Sequence, residues 1–254
     1  MNEIDSVINS FIKPYMADDD IQAAILTGSY AQGNHNGYSD IDIFIISSDE
    51  MNWRERGNKI LSNYLIEYFI NPSKKIFQEM ENQSKNNDRV TASILAKGIK
   101  LFDKTGILKT LTEKAMEIMK IPLIPISNND KEYIKYFTYY YYDQLKRAYE
   151  NNLDEFMYLY YTFLEHIIYS YGKYNGLVLA PRTKIYQYVF EESYKINNDL
   201  KKIEDKEYLD LLKKCMINSN REVMYKNITN IKEYILKDMG GFSIDGWKIR
   251  TEIK

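Results

Sequence analysis

Apolar residues first recur at helical spacing, with Ile4, Val7, Ile8, Phe11 and Ile12 on one face until Pro14 closes the run. The period then changes. Ala23-Ala24-Ile25-Leu26 is a short continuous apolar run that stops at Gly28. Asp40-Ile41-Asp42-Ile43-Phe44-Ile45-Ile46 and Leu65-Ile66-Glu67-Tyr68-Phe69-Ile70 are two further β-favouring runs, the last ended by Asn71-Pro72. All three predict strands. Pro72 opens a helical pattern carried by Ile76 and Met80, and after a polar gap from Asn82 to Asp88 another runs through Val90, Ile94, Leu95 and Ile99. Leu101-Phe102-Asp103 reads as a short strand with a turn to Gly106, and a helix from Leu108 to Met119 follows. This alternation predicts a small mixed sheet flanked by helices.

Ile121-Pro122-Leu123-Ile124-Pro125-Ile126-Ser127 interrupts the pattern, because two prolines three residues apart end a helix and Ser127 to Asp130 supply caps for the next. We expect a boundary there, with domains at 1–125 and 126–254. Beyond it the spacing stays helical, as in a bundle. One stripe is Ile134, Phe137, Tyr141, Leu145 and Ala148; a second is Leu153, Met157, Tyr160, Leu164, Ile167 and Tyr171. Tyr186 to Tyr194, Tyr208 to Ile217 and Val223 to Leu236 predict three more helices, and Gly240 to Trp247 a turn or short hairpin. The expected class is α+β: a mixed-sheet domain followed by an all-helical one. The many tyrosines of the second half are expected mainly in its core, with hydroxyls reaching the surface.

Composition narrows the function. A net charge of −2 gives no electrostatic footprint for duplex nucleic acid, which argues against a nucleic-acid partner. One cysteine, Cys215, and two histidines, His35 and His166, exclude a disulfide framework and argue against structural zinc. The acidic N-terminus does not resemble a signal peptide, and no apolar run is long enough to span a bilayer, so a cytoplasmic protein with no membrane partner is expected.

The chemistry concentrates at Gly28-Ser29-Tyr30-Ala31-Gln32-Gly33, followed by Ser39-Asp40-Ile41-Asp42. Side chains alternate along a strand, so Asp40 and Asp42 emerge on one side, within reach of one cation, while Ile41, Ile43 and Ile45 point into the core. Adjacent carboxylates repel and lose solvation, and a hard divalent cation such as Mg²⁺ is the usual compensation. Glu67 is the one acid in its apolar run. It either joins that pair or faces solvent on an edge strand.

Gly-Ser, a ten-residue spacer and Asp-Ile-Asp resemble the signature of the nucleotidyltransferase superfamily with a polymerase β-type core, over residues 25 to 46. The wording is most similar to the branch containing antibiotic (aminoglycoside-type) and minimal nucleotidyltransferases. The resemblance implies a catalytic domain at 1–125 and a substrate-binding helical domain at 126–254. It implies transfer of NMP, with AMP as the leading case, from an NTP to a hydroxyl with release of pyrophosphate, and two Mg²⁺ ions held by Asp40, Asp42 and Glu67. Gly28 and Ser29 would hold the phosphates, since a glycine admits close approach and the first turn of a helix offers free N–H groups. Glu67 or Glu165, the latter within Phe163-Leu164-Glu165-His166, would take the acceptor proton, while Arg182 and Lys184, after Pro181, would bring positive charge to the triphosphate. Each of these last three is equally readable as an ordinary surface charge, and His166 reads as a packing residue. The implied acceptor is a small molecule, with an aminoglycoside-type antibiotic, hence antibiotic resistance, as the leading case. A protein or tRNA acceptor of the antitoxin type, and a silent nucleotide-binding scaffold, are the alternatives. Phe242, Ile244 and Trp247 could join two copies in a homodimer or pack back on the bundle.

Overall fold

The computed structural model describes residues 3–198 and 200–251 of the 254-residue chain. It divides into two compact units, Met1–Ile124 and Pro125–Lys254.

The first unit opens with α1 (Glu3–Ala17), whose Val7, Ile8, Phe11 and Ile12 are buried. There follow β1 (Ile21–Thr27), the one-turn α2 (Gly28–Ala31), β2 (Ile41–Ser47), β3 (Glu55–Leu61), β4 (Tyr64–Pro72), α3 (Ser73–Lys85), α4 (Val90–Lys97), β5 (Ile99–Asp103) and α5 (Ile107–Lys120). The strands form one sheet in the order β3-β4-β2-β1-β5. Only β2 and β4 run parallel; the other neighbours are antiparallel.

Both faces of this sheet are covered. Ile41, Ile43 and Ile45 pack with Ile66, Ile70 and the apolar face of α1, as the alternation predicts. The opposite face is equally dry at its far rows, where Phe44, Ile46, Ala23 and Ile25 lie under Ile76, Met80, Leu95 and Leu111 of α3, α4 and α5. Fully burying each such side chain is worth about 1.5–3 kcal/mol, so the two layers together fix the strand register.

Two features of this unit depart from the sequence pattern, and one alternative for Glu67 falls away. The strand β3 was not foreseen: Glu-Arg-Gly-Asn-Lys-Ile-Leu is mostly exposed and has no period, and it is held by pairing with β4 alone. Its connection is the two-residue turn Ser62-Asn63, both with positive φ (49° and 67°), so no glycine signals the hairpin. Ile99 belongs to β5, because α4 stops at Lys97 and Gly98 is extended. Glu67 does not sit on an edge strand, since β4 lies between β3 and β2. Beyond α5, Arg89 donates to the carbonyls of Met119 and Ile121, and Asn87 exchanges two hydrogen bonds with Ile124, which ties the chain to the first unit up to its last residue.

The second unit consists of α6 (Asn128–Glu150), α7 (Phe156–Tyr174), a 3₁₀ turn at Arg182–Lys184, α8 (Ile185–Phe190), α9 (Glu192–Asn197), α10 (Lys206–Ile217) and α11 (Arg221–Asp238). Ser127 caps α6 by accepting from the Asp130 N–H, at 3.0 Å. The helix expected over Tyr186 to Tyr194 is broken at Glu191, which is extended (φ −112°, ψ 112°). Phe137, Leu153 and Met157, placed on inward stripes by their spacing, are exposed; Thr138 and Phe156 are the buried neighbours. An α+β architecture, mixed sheet first and helices second, is what the structure shows.

Tyrosine fills much of this helical core. Tyr160 and Tyr188 are fully buried and donate to the carbonyls of Cys215 and Lys201, at 2.8 and 2.7 Å. His166 is half-buried against Tyr141 and Phe163, lies 3.0 Å from Thr138 Oγ1, and its imidazole is pushed by desolvation down to about 4. It is a neutral packing residue. Phe242 and Trp247 pack back on α6, Trp247 stacking on Tyr136 at 4.4 Å, in a turn without strands.

Asp205 is the polar keystone of this unit. It caps α10 through the Tyr208 N–H and accepts from Tyr171 and Tyr234, at 3.1 and 2.6 Å. Asp205→Ala removes the cap and orphans two hydroxyls, so urea denaturation should show a loss of about 2–4 kcal/mol in the stability of the helical unit.

Candidate active site

The sheet brings three acids from two separate segments to one place. Asp40 immediately precedes β2, and Asp42 is its second residue. In the parallel β2–β4 ladder Asp42 stands directly opposite Glu67, and Thr27 at the end of β1 flanks Asp42 on the other side. One carboxylate oxygen from each of Asp40, Asp42 and Glu67 lies within 4.8 Å of the other two, and all three residues are half-buried.

They occupy the open end of the face whose farther rows are dry. Asp42 is therefore followed on its own side of β2 by buried Phe44 and Ile46. That setting explains its ionisation: the Asp42 carboxyl is pushed up to about 6, first by burial and then by the charges of Asp40 and Glu67, with Arg56 pulling the other way. Clustered, partly desolvated acids need a cation.

Arg56 supplies one. From β3 its guanidinium reaches Glu67 Oε1 through Nη2 at 2.6 Å and Nε at 3.2 Å, and lies over the Phe69 ring at 4.9 Å. Sequence reasoning missed it, because nothing in the pattern placed that segment in the sheet.

Gly28 closes the site from below. It has a φ of +66°, and a Cβ at this position would stand 1.9 Å from Asp42 Oδ2. Only a glycine allows the turn and the acid to share this space. The chain then makes the single turn α2, with the Gln32 N–H on the Gly28 carbonyl and the Asn34 N–H on that of Ser29. Tyr30 stacks on His35 at 4.1 Å, and its hydroxyl is raised by burial and by neighbouring Tyr64 and Asp40. The loop thus folds against the acids, with Ser29 at its first turn.

The oxygen-only donor set fits a hard divalent cation. Three carboxylate oxygens at this spacing suit Mg²⁺, which accepts a few protein oxygens and keeps waters.

The remaining candidates lie in the second unit. Glu165, on α7, and Arg182, on the 3₁₀ turn, were read separately as a base and a phosphate ligand; the structure pairs them in a salt bridge. Arg182 is otherwise exposed, and Lys184 ends the same turn.

Residues 10–106, which span this whole arrangement, match the polymerase beta nucleotidyltransferase family. The "Putative protein adenylyltransferase MJ1305" of Methanocaldococcus jannaschii is 28% identical over 106 residues, 40% of this chain and 72% of that protein. A crystal structure of a nucleotidyltransferase-like protein from Exiguobacterium sibiricum is similar with a TM-score of 0.46 and 8% identity, over 93% of this chain and 77% of that one. The first unit thus carries a region that matches the nucleotidyltransferase domain of that family. Both the family match and the curated relative support a nucleotidyltransferase enzyme at the level of the family. Among the described residues no helix is long and apolar enough to cross a membrane.

Two outcomes follow from the geometry. Gly28→Ala should push Asp42 aside and strain the turn, costing ~1–2 kcal/mol in thermal or urea unfolding and abolishing divalent-ion binding in a calorimetric titration. The second concerns pH. The folded chain holds the Asp42 proton up to about 6, while the unfolded chain releases it near the ordinary 3.8. Its contribution is therefore fully present below that lower value and is lost as pH rises through the folded one. Without metal, melting temperature should fall from pH 4 to 7 more steeply in the wild type than in Asp42→Asn, and Mg²⁺ should offset the loss.

Proposed function

We propose that the protein transfers AMP from Mg²⁺-bound ATP to a hydroxyl of a small cationic molecule of the aminoglycoside type. The observation that carries this reading is the convergence of Asp40, Asp42 and Glu67 beside the Gly28 turn. In such a transfer the acceptor oxygen bonds to the α-phosphorus, the bond to the β-phosphate oxygen breaks, and pyrophosphate leaves. Catalysis is mostly positioning and charge neutralisation. Asp40, Asp42 and Glu67 would hold one or two divalent ions, whose contribution is to neutralise the phosphates and orient the reacting oxygens.

The chain's own groups do the rest. Gly28 and Ser29 would hold the phosphates, Gly28 by fixing the turn against Asp42 and Ser29 through its hydroxyl and N–H in the first turn of α2. A carboxylate must take the acceptor proton. Glu67 does so if two acids suffice for the metal; otherwise Glu165 does, after parting from Arg182. Arg182 and Lys184 then contribute charge toward the triphosphate. The excess of acids over cations around Asp42 favours a positively charged acceptor. The helical unit 126–254 serves as the acceptor-binding domain, and a second copy of the chain could complete it.

A second acceptor class has its own support. The Methanocaldococcus jannaschii relative is named for adenylyl transfer to protein. A protein hydroxyl is therefore the alternative target.

Pyrophosphate release from each NTP with Mg²⁺ separates these readings when run with aminoglycosides, lincosamides, tRNA and candidate proteins. ATP-dependent release with an aminoglycoside, and a mass gain of one AMP on the drug, is the expected result. Asp42→Asn should lower the rate at least ~10²–10³-fold. Release only with a protein acceptor would install the second reading, and no Mg²⁺-nucleotide binding at all would leave a silent scaffold.

A further inference from the structure

Arg56 has no part in the transfer as described, yet it is ion-paired with one of the three acids. Both of its bonding nitrogens converge on one oxygen, Glu67 Oε1. The acids are poised for a divalent ion because each offers an oxygen within 4.8 Å of the others. Arginine and a metal would therefore draw on the same Glu67 carboxylate.

The two cations are not equivalent. A guanidinium bonds in the plane of the carboxylate and neutralises one charge, whereas a divalent ion can gather all three acids. Arg56 is held loosely. Its side chain is 68% exposed and projects from an edge strand, and besides pairing with Glu67 it lies over the face of Phe69. It can leave Glu67 without unpacking the core while keeping its place over the Phe69 ring.

We propose that Arg56 is a resident counter-ion of the acid cluster, bound to Glu67 until an entering divalent ion displaces it. It steadies the metal-free site and, by the same contact, weakens the site's grip on metal. The inference rests on the reading of Asp40, Asp42 and Glu67 as metal ligands. Arg56 is a positioning residue on this view.

The test is direct Mn²⁺ binding, by calorimetry and by electron paramagnetic resonance, to the wild type, Arg56→Gln, Arg56→Lys and Asp42→Asn. A unit charge ~5–6 Å from a divalent ion, screened nearly as in water, corresponds to roughly tenfold in affinity. Arg56→Gln should bind Mn²⁺ about tenfold more tightly than the wild type, with the gain shrinking in high salt. Its metal-free melting temperature should be lower and its rise with Mg²⁺ larger. Arg56→Lys, which keeps the charge without the forked contact, should lie between the two and guards against a folding defect in the glutamine variant. Unchanged or weaker binding by a folded Arg56→Gln overturns the counter-ion role while leaving the metal site intact. Failure of the wild type itself to bind Mn²⁺ more tightly than Asp42→Asn removes the metal-site reading, and this inference with it.

Discussion

Mutual repulsion among three half-buried carboxylates is the constraint around which the first unit is arranged. Asp40, Asp42 and Glu67 meet at one end of a sheet face whose other end is filled with apolar side chains. Water is partly excluded, so the repulsion is felt more strongly than at a free surface. The fold tolerates the cluster because the surrounding rows are well packed and because Arg56 lies across it. A purely structural need would have been met by one acid and one base. The surplus of negative charge is a feature that packing alone does not demand, and its oxygen donors fit a divalent ion.

The parts of this site that could be read from the chain are those governed by short-range rules. The spacing of Asp40 and Asp42 on an apolar strand places them on one side by alternation alone, and the glycine before them announces a turn that side chains could not enter. Glu67 stood out as a lone acid among apolar neighbours. The partners of these residues were hidden for equally physical reasons. Arg56 belongs to a strand exposed on most of its length, whose hydrophobic pattern is too weak to define a period, and whose turn uses Ser62 and Asn63 in place of glycine. The Glu165–Arg182 pair joins positions that no local rule connects. Ile99 followed a helical spacing that the extended backbone of Gly98 interrupts.

The helical unit shows a different balance. Its apolar spacing predicts that helices form, and they do, but it misplaces individual residues because tyrosine satisfies both environments. Tyr160 and Tyr188 are buried with their hydroxyls on backbone carbonyls, while Tyr158 and Tyr161 on the same helix as Tyr160 are exposed. Spacing alone cannot rank such residues. Hydrogen-bond partners on other helices, such as Asp205 for Tyr171 and Tyr234, decide which of them turn inward.

The parallel pairing of β2 and β4 has a consequence for errors in folding. Asp42 and Glu67 are neighbours only in the observed register, where Ile66 and Ile70 also enter the layer under α1. A slip of one residue would turn Glu67 into that dry layer and bring both isoleucines out of it. The energetic penalty for scrambling the acids is thus shared with the core itself. A misregistered chain would not be a well-folded protein with a dead site; it would fail to consolidate and be open to proteolysis. Quality control of the fold doubles, in this sheet, as quality control of the chemistry.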